Sequence, residues 1–216
     1  MGILIDTKSL NGAVDIKLMN LFSSQDPEKR KWCFIKLLNI EQELFITNDK
    51  LKELYGIHNI LSNRDASDYN PMFYSRKIFK YFKLCKEIVH DLRCTIEMML
   101  LLTSLVSDSD KKIDTIEKYL KLVNDGKTWV YDTHVDFFKL IKLMDNSSKH
   151  HFTNDLEKRI SNDEPLIVMI RCTNNFNFSN AKMIEEPVEK IISDFNLFYN
   201  HAFHEIKEFS KKAKRS

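Results

Sequence analysis

Glycine and proline are scarce in this chain of 216 residues, which contains four of each. Both residues mark turns and interrupt helices, so their scarcity favours long helices and few hairpins. It also argues against Rossmann and P-loop enzymes, because those folds need glycine where the backbone approaches phosphate. No motif of the type GxGxxG, GxxxxGKS or GxxxxGKT is present. We therefore expect a mostly α-helical protein without a nucleotide-phosphate loop of either kind.

Paired cysteines and targeting signals are also lacking. The four cysteines are irregularly spaced and form no CxxC motif, which favours free thiols in a reducing compartment. No basic segment followed by an apolar one marks a signal peptide at the N-terminus. The most apolar run, Met98 to Val106, is too short to span a bilayer. These features predict a cytoplasmic protein that needs no cofactor and does not associate with membranes.

Six segments have the apolar spacing of helices. Asp26 and Pro27 predict the start of the first helix, and Thr47-Asn48-Asp49 is expected to cap a second one. Asn70-Pro71 opens the longest segment, which reaches about Val106 and becomes apolar on nearly every face, so it belongs at the centre of a bundle. The remaining helices are expected at about 110–125, 133–144 and 187–210. Gly126 follows the first of these, where a left-handed stop residue is expected.

One small sheet is predicted late in the chain. Pro165 to Cys172 is β-branched and bounded by turn residues, and Ala181 to Ile184 is suited to the returning strand. No linker or internal repeat divides the sequence. We therefore expect a single helical domain over residues 1–216, with a long central helix, one β-hairpin at about 165–184 and a C-terminal helix at about 187–210.

Four histidines are the first candidate functional cluster: His150, His151, His201 and His204. His201 and His204 are three residues apart on a predicted helix and share a face. Zinc sites usually take three or more protein ligands, and neither an HExxH motif nor a suitably placed cysteine completes a set here. No metal site is predicted, although a histidine-based metal-dependent enzyme stays open as a third alternative.

Asp132, His134 and Asp136 alternate along the chain, as residues on one face of a strand would. The apolar spacing that follows them favours a helix, in which their side chains diverge. Asp132 is then expected to cap the helix and Asp136 to lie in its first turn, and no catalytic residue is predicted here.

A basic stripe is the second candidate site. Arg76, Lys80 and Lys83 are spaced four and three residues apart, while Phe79 and Phe82 are expected to form an aromatic pair on another face. Such a stripe can bind phosphates or an anionic membrane surface. The alternative is a solvated face beside a buried aromatic one. The overall net charge of +2 predicts no general attraction to nucleic acid.

The C-terminal third resembles the HEPN superfamily. The resemblance covers Phe137 to Phe203 and lies in the segments LIKLMDNSSKHHFTNDLEKR, DEPLIVMIRCTNN and IEEPVEKIISDFNLFYNHAF. It implies an all-α bundle, often dimeric, that binds or acts on RNA, commonly in toxin–antitoxin or antiphage systems.

The resemblance does not extend to the nuclease motif of that superfamily, an arginine followed by four to six residues and then a histidine. No arginine of this chain has a histidine at that distance, and Asp145 and Asn146 stand where the arginine would precede His150 or His151. A carboxylate cannot replace a guanidinium that stabilises phosphate charge. We therefore expect no nuclease activity. The expected function is a non-catalytic or degenerate module that binds RNA or a partner protein in a defence or regulatory setting. The alternative is a helical, homodimerising interaction protein with no nucleic-acid role.

Overall fold

A computed structural model describes residues 2–7, 22, 26–63, 71–107, 112–127, 129–147, 164–171 and 182–212 of the chain. Within the helices and strands, the side chains at 71–74, 170, 171, 182 and 212 are not described. The described residues form five α-helices, one 3₁₀ helix and a two-stranded antiparallel sheet. The predicted fold class, mostly α with a long central helix and one late hairpin, is confirmed.

Two helices of 36 residues each form the framework: α1, Pro27–Ser62, and α2, Pro71–Val106. Asp26 caps α1 by accepting a hydrogen bond from the backbone N–H of Lys29 at 3.0 Å, and Pro27 occupies the first helical position. The helices run antiparallel, since Lys50 near the middle of α1 lies 2.6 Å from Asp91 of α2 and Glu53 pairs with Lys80 further back along α2.

The predicted break between two helices at Thr47-Asn48-Asp49 is wrong, because α1 continues through it. The Thr47 hydroxyl donates to the carbonyl of Glu43 one turn earlier, at 2.7 Å, which satisfies it inside a continuous helix. Asn48 is buried and binds the backbone N–H and C=O of Ile5 at 2.8 and 3.1 Å. These polar side chains make mid-helix and tertiary contacts in place of a cap. Six helices are predicted from the sequence, and the described residues contain five, because α1 replaces the first two.

Two shorter helices follow. Helix α3, Ile116–Asn124, begins at the cap Thr115, whose side chain accepts from the backbone N–H of Lys118. It ends at Asn124, and Gly126, two residues later, has a φ of +71°, as predicted for a left-handed stop residue. The 3₁₀ helix Asp132–His134 then leads directly into α4, Val135–Ser147.

The sheet lies between α4 and the last helix along the chain. Strand β1, Leu166–Arg171, pairs antiparallel with β2, Lys182–Pro187, in a register that sets Leu166 opposite Pro187. Helix α5, Val188–Lys212, follows without a loop and buries an apolar stripe that includes Val188, Phe195 and Tyr199. The hairpin and the C-terminal helix are therefore confirmed near their predicted positions.

Buried apolar side chains from the helices and β1 join in a contiguous core, in which α2 contacts α1, α3, α4, α5 and β1. The C-terminal half of α2 is buried at Ile96, Met99, Leu100 and Leu102, so its central position agrees with its apolar sequence. Cys33 and Cys85 are buried free thiols, and Cys94 is a half-buried one. Within the described ranges, no helix has an apolar stretch long enough to cross a membrane.

Candidate nucleic-acid interface

The basic stripe predicted on α2 is exposed and longer than its three predicted members. Spacings of three and four residues continue beyond Lys83 to Lys86 and His90, so these side chains share the exposed face. We call this surface the α2 stripe, consisting of Arg76, Phe79, Lys80, Lys83, Lys86 and His90. At 1.5 Å per residue it extends over about 21 Å of helix.

Phe79 belongs to this stripe, and its predicted place on a separate, buried aromatic face is wrong. Its side chain is 58% exposed. Phe79 lies three residues after Arg76 and four before Lys83, on the outer side of α2, whereas Phe82 turns towards the core. Phe82 packs edge-on against Tyr81, with 6.2 Å between ring centroids. The two phenylalanines therefore lie in different environments, and one aromatic face is available among the cations.

Carboxylates flank one side of the α2 stripe. Lys80 pairs with Glu53 of α1, and Lys83 Nζ lies 3.6 Å from Glu87 Oε1. Arg76 and Lys86 have no ion-pair partner among the residues that the structure describes. Exposed ion pairs contribute only about 0–1 kcal/mol, so a phosphate group can displace these carboxylates at little cost.

A second charged cluster lies just beyond the stripe and centres on Arg93. Its guanidinium reaches three helices: Nε to Glu97 of α2 at 3.2 Å, Nη2 to Glu117 of α3 at 2.8 Å, and Nη1 to Asp145 of α4 at 2.8 Å. His90 also faces Asp145, with 3.2 Å between Nδ1 and Oδ1. Burial opposes the charge of Arg93, but its hydrogen bond to the Asp145 carboxylate and the charges of the two glutamates raise the pKa of Arg93 overall.

Arg93 lies beside Asp145 and Asn146, the two residues that occupy the positions where an arginine before His150 or His151 was sought. Besides Asp145, its Nη1 donates to Asn146 Oδ1 at 3.3 Å. A guanidinium is thus present at this position, supplied by a different helix. Three carboxylates already neutralise it, and its side chain is only 18% exposed. Arg93 therefore serves the packing of α2, α3 and α4 and presents no free charge to a phosphate.

The predicted histidine cluster divides between different surroundings. His201 of α5 lies against His134, with 3.1 Å between Nδ1 and Nε2. His204, one turn further along α5, is exposed. His150 and His151 lie outside the described residues. The sequence offered little to join His134 to His201, since 67 positions separate them and only the tertiary fold brings α5 to the 3₁₀ helix.

Aromatic rings enclose the His134–His201 pair. Tyr131 contacts His201 edge-on at 5.6 Å between centroids, and Phe198 contacts His134 at 5.5 Å. Burial, and then the neighbouring His201, lower the pKa of His134. The pair forms a half-buried polar contact within an aromatic cluster. Among the described residues, no group of three or more histidine, cysteine or acidic side chains is arranged to hold a metal ion.

The acidic residues around His134 have structural contacts. Asp132 Oδ1 accepts hydrogen bonds from the Tyr119 hydroxyl at 2.8 Å and from the backbone N–H of Trp129 at 3.2 Å. Asp136 lies in the first turn of α4, is almost fully exposed and pairs with Lys139. Asp132 thus fixes the turn before α4, and Asp136 occupies the predicted first-turn position.

Comparison of this chain with protein-family models, curated proteins and solved structures found no match. The site is therefore interpreted from its own residues: an exposed row of basic side chains on one helix, with an accessible phenylalanine among them.

Proposed function

We propose that this protein is a non-catalytic, HEPN-like module that binds single-stranded RNA along the α2 stripe. The observation that carries the proposal is the position of Phe79, exposed by 58% between Arg76 and Lys83. Proteins that hold single strands combine a row of cations along the backbone with aromatic rings on which bases stack. The α2 stripe contains both components at helical spacing.

The composition of the stripe favours a nucleic acid over an anionic membrane. A helix that lies in a membrane interface needs a broad apolar face beside its basic one. The apolar face of α2 is already buried in the core at residues such as Leu84, Ile88 and Leu92. One phenylalanine ring is too little apolar area for membrane insertion, whereas one ring suffices to stack one base.

An unpaired strand is favoured over a duplex for the same reason. In a duplex the bases are stacked on one another and their faces are not accessible, so Phe79 would contribute nothing. With unpaired nucleotides, each base has a free face and stacking does not depend on its identity. We therefore infer weak sequence preference, with affinity supplied by phosphate contacts and by Phe79.

We infer that the module is not catalytic because carboxylates already bind Arg93. Its guanidinium is bound by Glu97, Glu117 and Asp145, which leaves it unable to stabilise charge that develops on a phosphate. The proposed module therefore binds RNA without cutting it, as the missing arginine–histidine motif also predicts.

An electrophoretic shift assay with labelled single-stranded RNA at low salt tests the proposal. The wild type should shift the RNA, and the triple substitution Arg76→Glu, Lys80→Glu and Lys83→Glu should abolish the shift. The matched control is Lys118→Glu, Lys139→Glu and Lys190→Glu, which changes the net charge equally at exposed lysines on other helices. The control should bind RNA more strongly than the stripe variant.

The outcomes separate the alternatives. A wild type that gives no shift would remove the nucleic-acid function and leave a protein-interaction module. Equal loss in both triple variants would mean that net charge alone, and not the α2 stripe, attracts RNA. Cleavage of the same RNA by the wild type, lost on His150→Ala or His151→Ala, would show that the protein is a nuclease.

A further inference from the structure

The outward side of α1 has an unusual composition for the surface of a helix. Leu38 and Phe45 are 36% and 49% exposed, and Ile35 beside them is half-buried. The outer face of a helix in a soluble protein is normally polar. An apolar stripe left on the surface marks an interaction site more often than a solvated one.

The spacing along this face is that of a helix–helix seam. Successive members are separated by four, three, four, three and four residues, which is the pattern that keeps a stripe facing one partner helix. We call it the α1 seam, and it consists of Lys31, Ile35, Leu38, Gln42, Phe45 and Asp49. It covers about 27 Å of helix at 1.5 Å per residue. Both ends are charged, and with opposite signs.

We propose that the α1 seam pairs antiparallel with the α1 seam of a second copy of this chain, centred on Ile40. An antiparallel arrangement brings Ile35 opposite Phe45 and Leu38 opposite Gln42. Because a two-fold axis relates the copies, each contact occurs twice. Ile35 of each copy therefore packs against Phe45 of the other, on either side of a centre where Leu38 packs against the aliphatic part of Gln42.

The charged ends select this orientation and this partner. In the antiparallel register each Lys31 meets Asp49 of the second copy, so both ends close with an ion pair. A parallel pairing would set lysine against lysine and aspartate against aspartate, which is unfavourable. A shift by one heptad would place Leu38 opposite Asp49 or leave the charges unmatched. The charges of the α1 seam are complementary to those of the same seam running in the opposite direction, so a second copy of the chain is a suitable partner.

Neither ion-pair residue is paired with another helix or strand within the part of the chain that the structure describes. Lys31 is exposed and has no ion-pair partner among the described residues. Asp49 is 77% exposed, and its one ion-pair partner within the described ranges is Lys52, three residues away on the same helix, at 2.8 Å. The pairing is independent of the proposed RNA function, because no residue of the α2 stripe takes part in it.

Sedimentation of the full chain over a range of concentrations tests the dimer. The wild type should dimerise, and Lys31→Asp or Asp49→Lys alone should each raise the dissociation constant about tenfold, since each sets like charges together at both ends. Mixing the two variants should restore association as a heterodimer, because every end of the mixed pair again joins opposite charges. The loss in each single variant is specific to the antiparallel orientation, because a parallel pair already sets like charges together in the wild type. The recovery on mixing shows that the loss is electrostatic and that the variants remain folded.

A second pair of substitutions tests the apolar centre. Leu38→Glu with Phe45→Glu should give a monomer whose circular dichroism remains that of the wild type, since both positions are exposed. Phe79→Glu, at a comparably exposed phenylalanine of α2, is the matched control and should leave the dimer intact. A wild type that sediments as a monomer up to about 100 µM would overturn the proposal. So would a mixture of the two charge variants that fails to associate while the wild type dimerises.

Discussion

The imidazoles of His134 and His201 lie 3.1 Å apart, Nε2 to Nδ1, within a half-buried aromatic cluster. This contact requires one ring to donate a proton and the other to accept it. Protonation of both rings would remove the acceptor and place two positive charges together. A carboxylate also lies near the pair, with 3.9 Å between Glu205 Oε1 and His201 Nε2.

We predict that this pair makes the protein less stable in mild acid. The pKa of His134 is lowered in the folded state, first by burial and then by His201, relative to about 6.5 for an unfolded chain. The unfolded state therefore binds more protons below about pH 6.5, and the free energy of unfolding falls as the pH drops through that value. Urea denaturation between about pH 5 and 8 measures the effect.

Two variants isolate the contribution of the pair. His134→Leu should flatten the pH dependence, because the group with the lowered pKa is gone. His204→Leu, at an exposed histidine on the same helix as His201, should keep the wild-type slope. Identical slopes in the wild type and His134→Leu would assign the acid sensitivity to other groups.

Arg93→Ala should be the most destabilising single change among the charged residues described above. It leaves Glu97, Glu117 and Asp145 facing one another at the junction of three helices. Removing one partner of a partly buried charge cluster should cost about 2 kcal/mol, less than in a fully buried one because the site is partly solvated. Arg93→Lys keeps the charge but not the fork of donors, and should recover roughly half of the loss. Arg76→Ala, on the exposed stripe, should change the free energy of unfolding by less than about 0.5 kcal/mol.

Asn48→Ala tests the polar residue that was predicted to lie in a helix cap. Its side chain exchanges two hydrogen bonds with Ile5 in a buried position. The substitution should therefore leave a buried backbone N–H and C=O unpaired and cost about 1–3 kcal/mol. If Asn48 were a cap with an exposed side chain, the cost would be near the lower limit and the N-terminal segment would be unaffected. The rate of proteolysis within residues 2–7 of the variant distinguishes the buried contact with Ile5 from an exposed helix cap, since only loss of the buried contact should raise it.

The sequence predicted those features that depend on local patterning. Apolar spacing located the helices, β-branched residues located the hairpin, and Gly126 marked the end of α3. It could not show that Thr47 and Asn48 lie mid-helix, because the groups that satisfy them include Asp91 and Ile5, more than 40 positions away. Ser, Thr, Asn and Asp favour caps only when no such partner is within reach.

The candidate site was predicted only in part, because local spacing reveals the basic residues but not the contacts between helices. Arg76, Lys80 and Lys83 were identified from spacing, and Lys86 and His90 follow from continuing that spacing along α2. The exposure of Phe79 was not predictable, because a phenylalanine on an amphipathic helix is normally buried and only the packing of neighbouring helices decides which of two nearby rings is covered. The Arg93 cluster joins three helices and has no local signature.

Phe79 should contribute to the binding of unpaired RNA and not of duplex RNA. Loss of one stacked base costs about 1–3 kcal/mol, so Phe79→Ala should weaken binding to a single strand by about tenfold or more. Phe79→Trp should retain affinity and add a fluorescence change when RNA binds. Leu197→Ala, which removes a 65% exposed apolar side chain from α5, is the control and should bind as the wild type does. Equal losses on single-stranded and duplex RNA would refute stacking while leaving the phosphate contacts in place.

The carboxylates beside the α2 stripe should restrain RNA binding, and removing one should strengthen it. Glu87 lies 3.6 Å from Lys83 and 3.8 Å from Lys50, so a phosphate that binds Lys83 must displace it. Glu87→Gln should tighten binding about two- to fivefold, in line with an exposed pair. Asp136→Asn changes the net charge equally at an exposed site on α4 and should have a smaller effect. An Asp136→Asn variant that tightens binding as much as Glu87→Gln would mean that the attraction is spread over the whole surface.

The salt dependence of binding should report the number of phosphate contacts. With four stripe cations contacting phosphates, the logarithm of the wild-type binding constant should fall against the logarithm of salt concentration with a slope of about −3. A slope near zero would exclude phosphate contacts along α2.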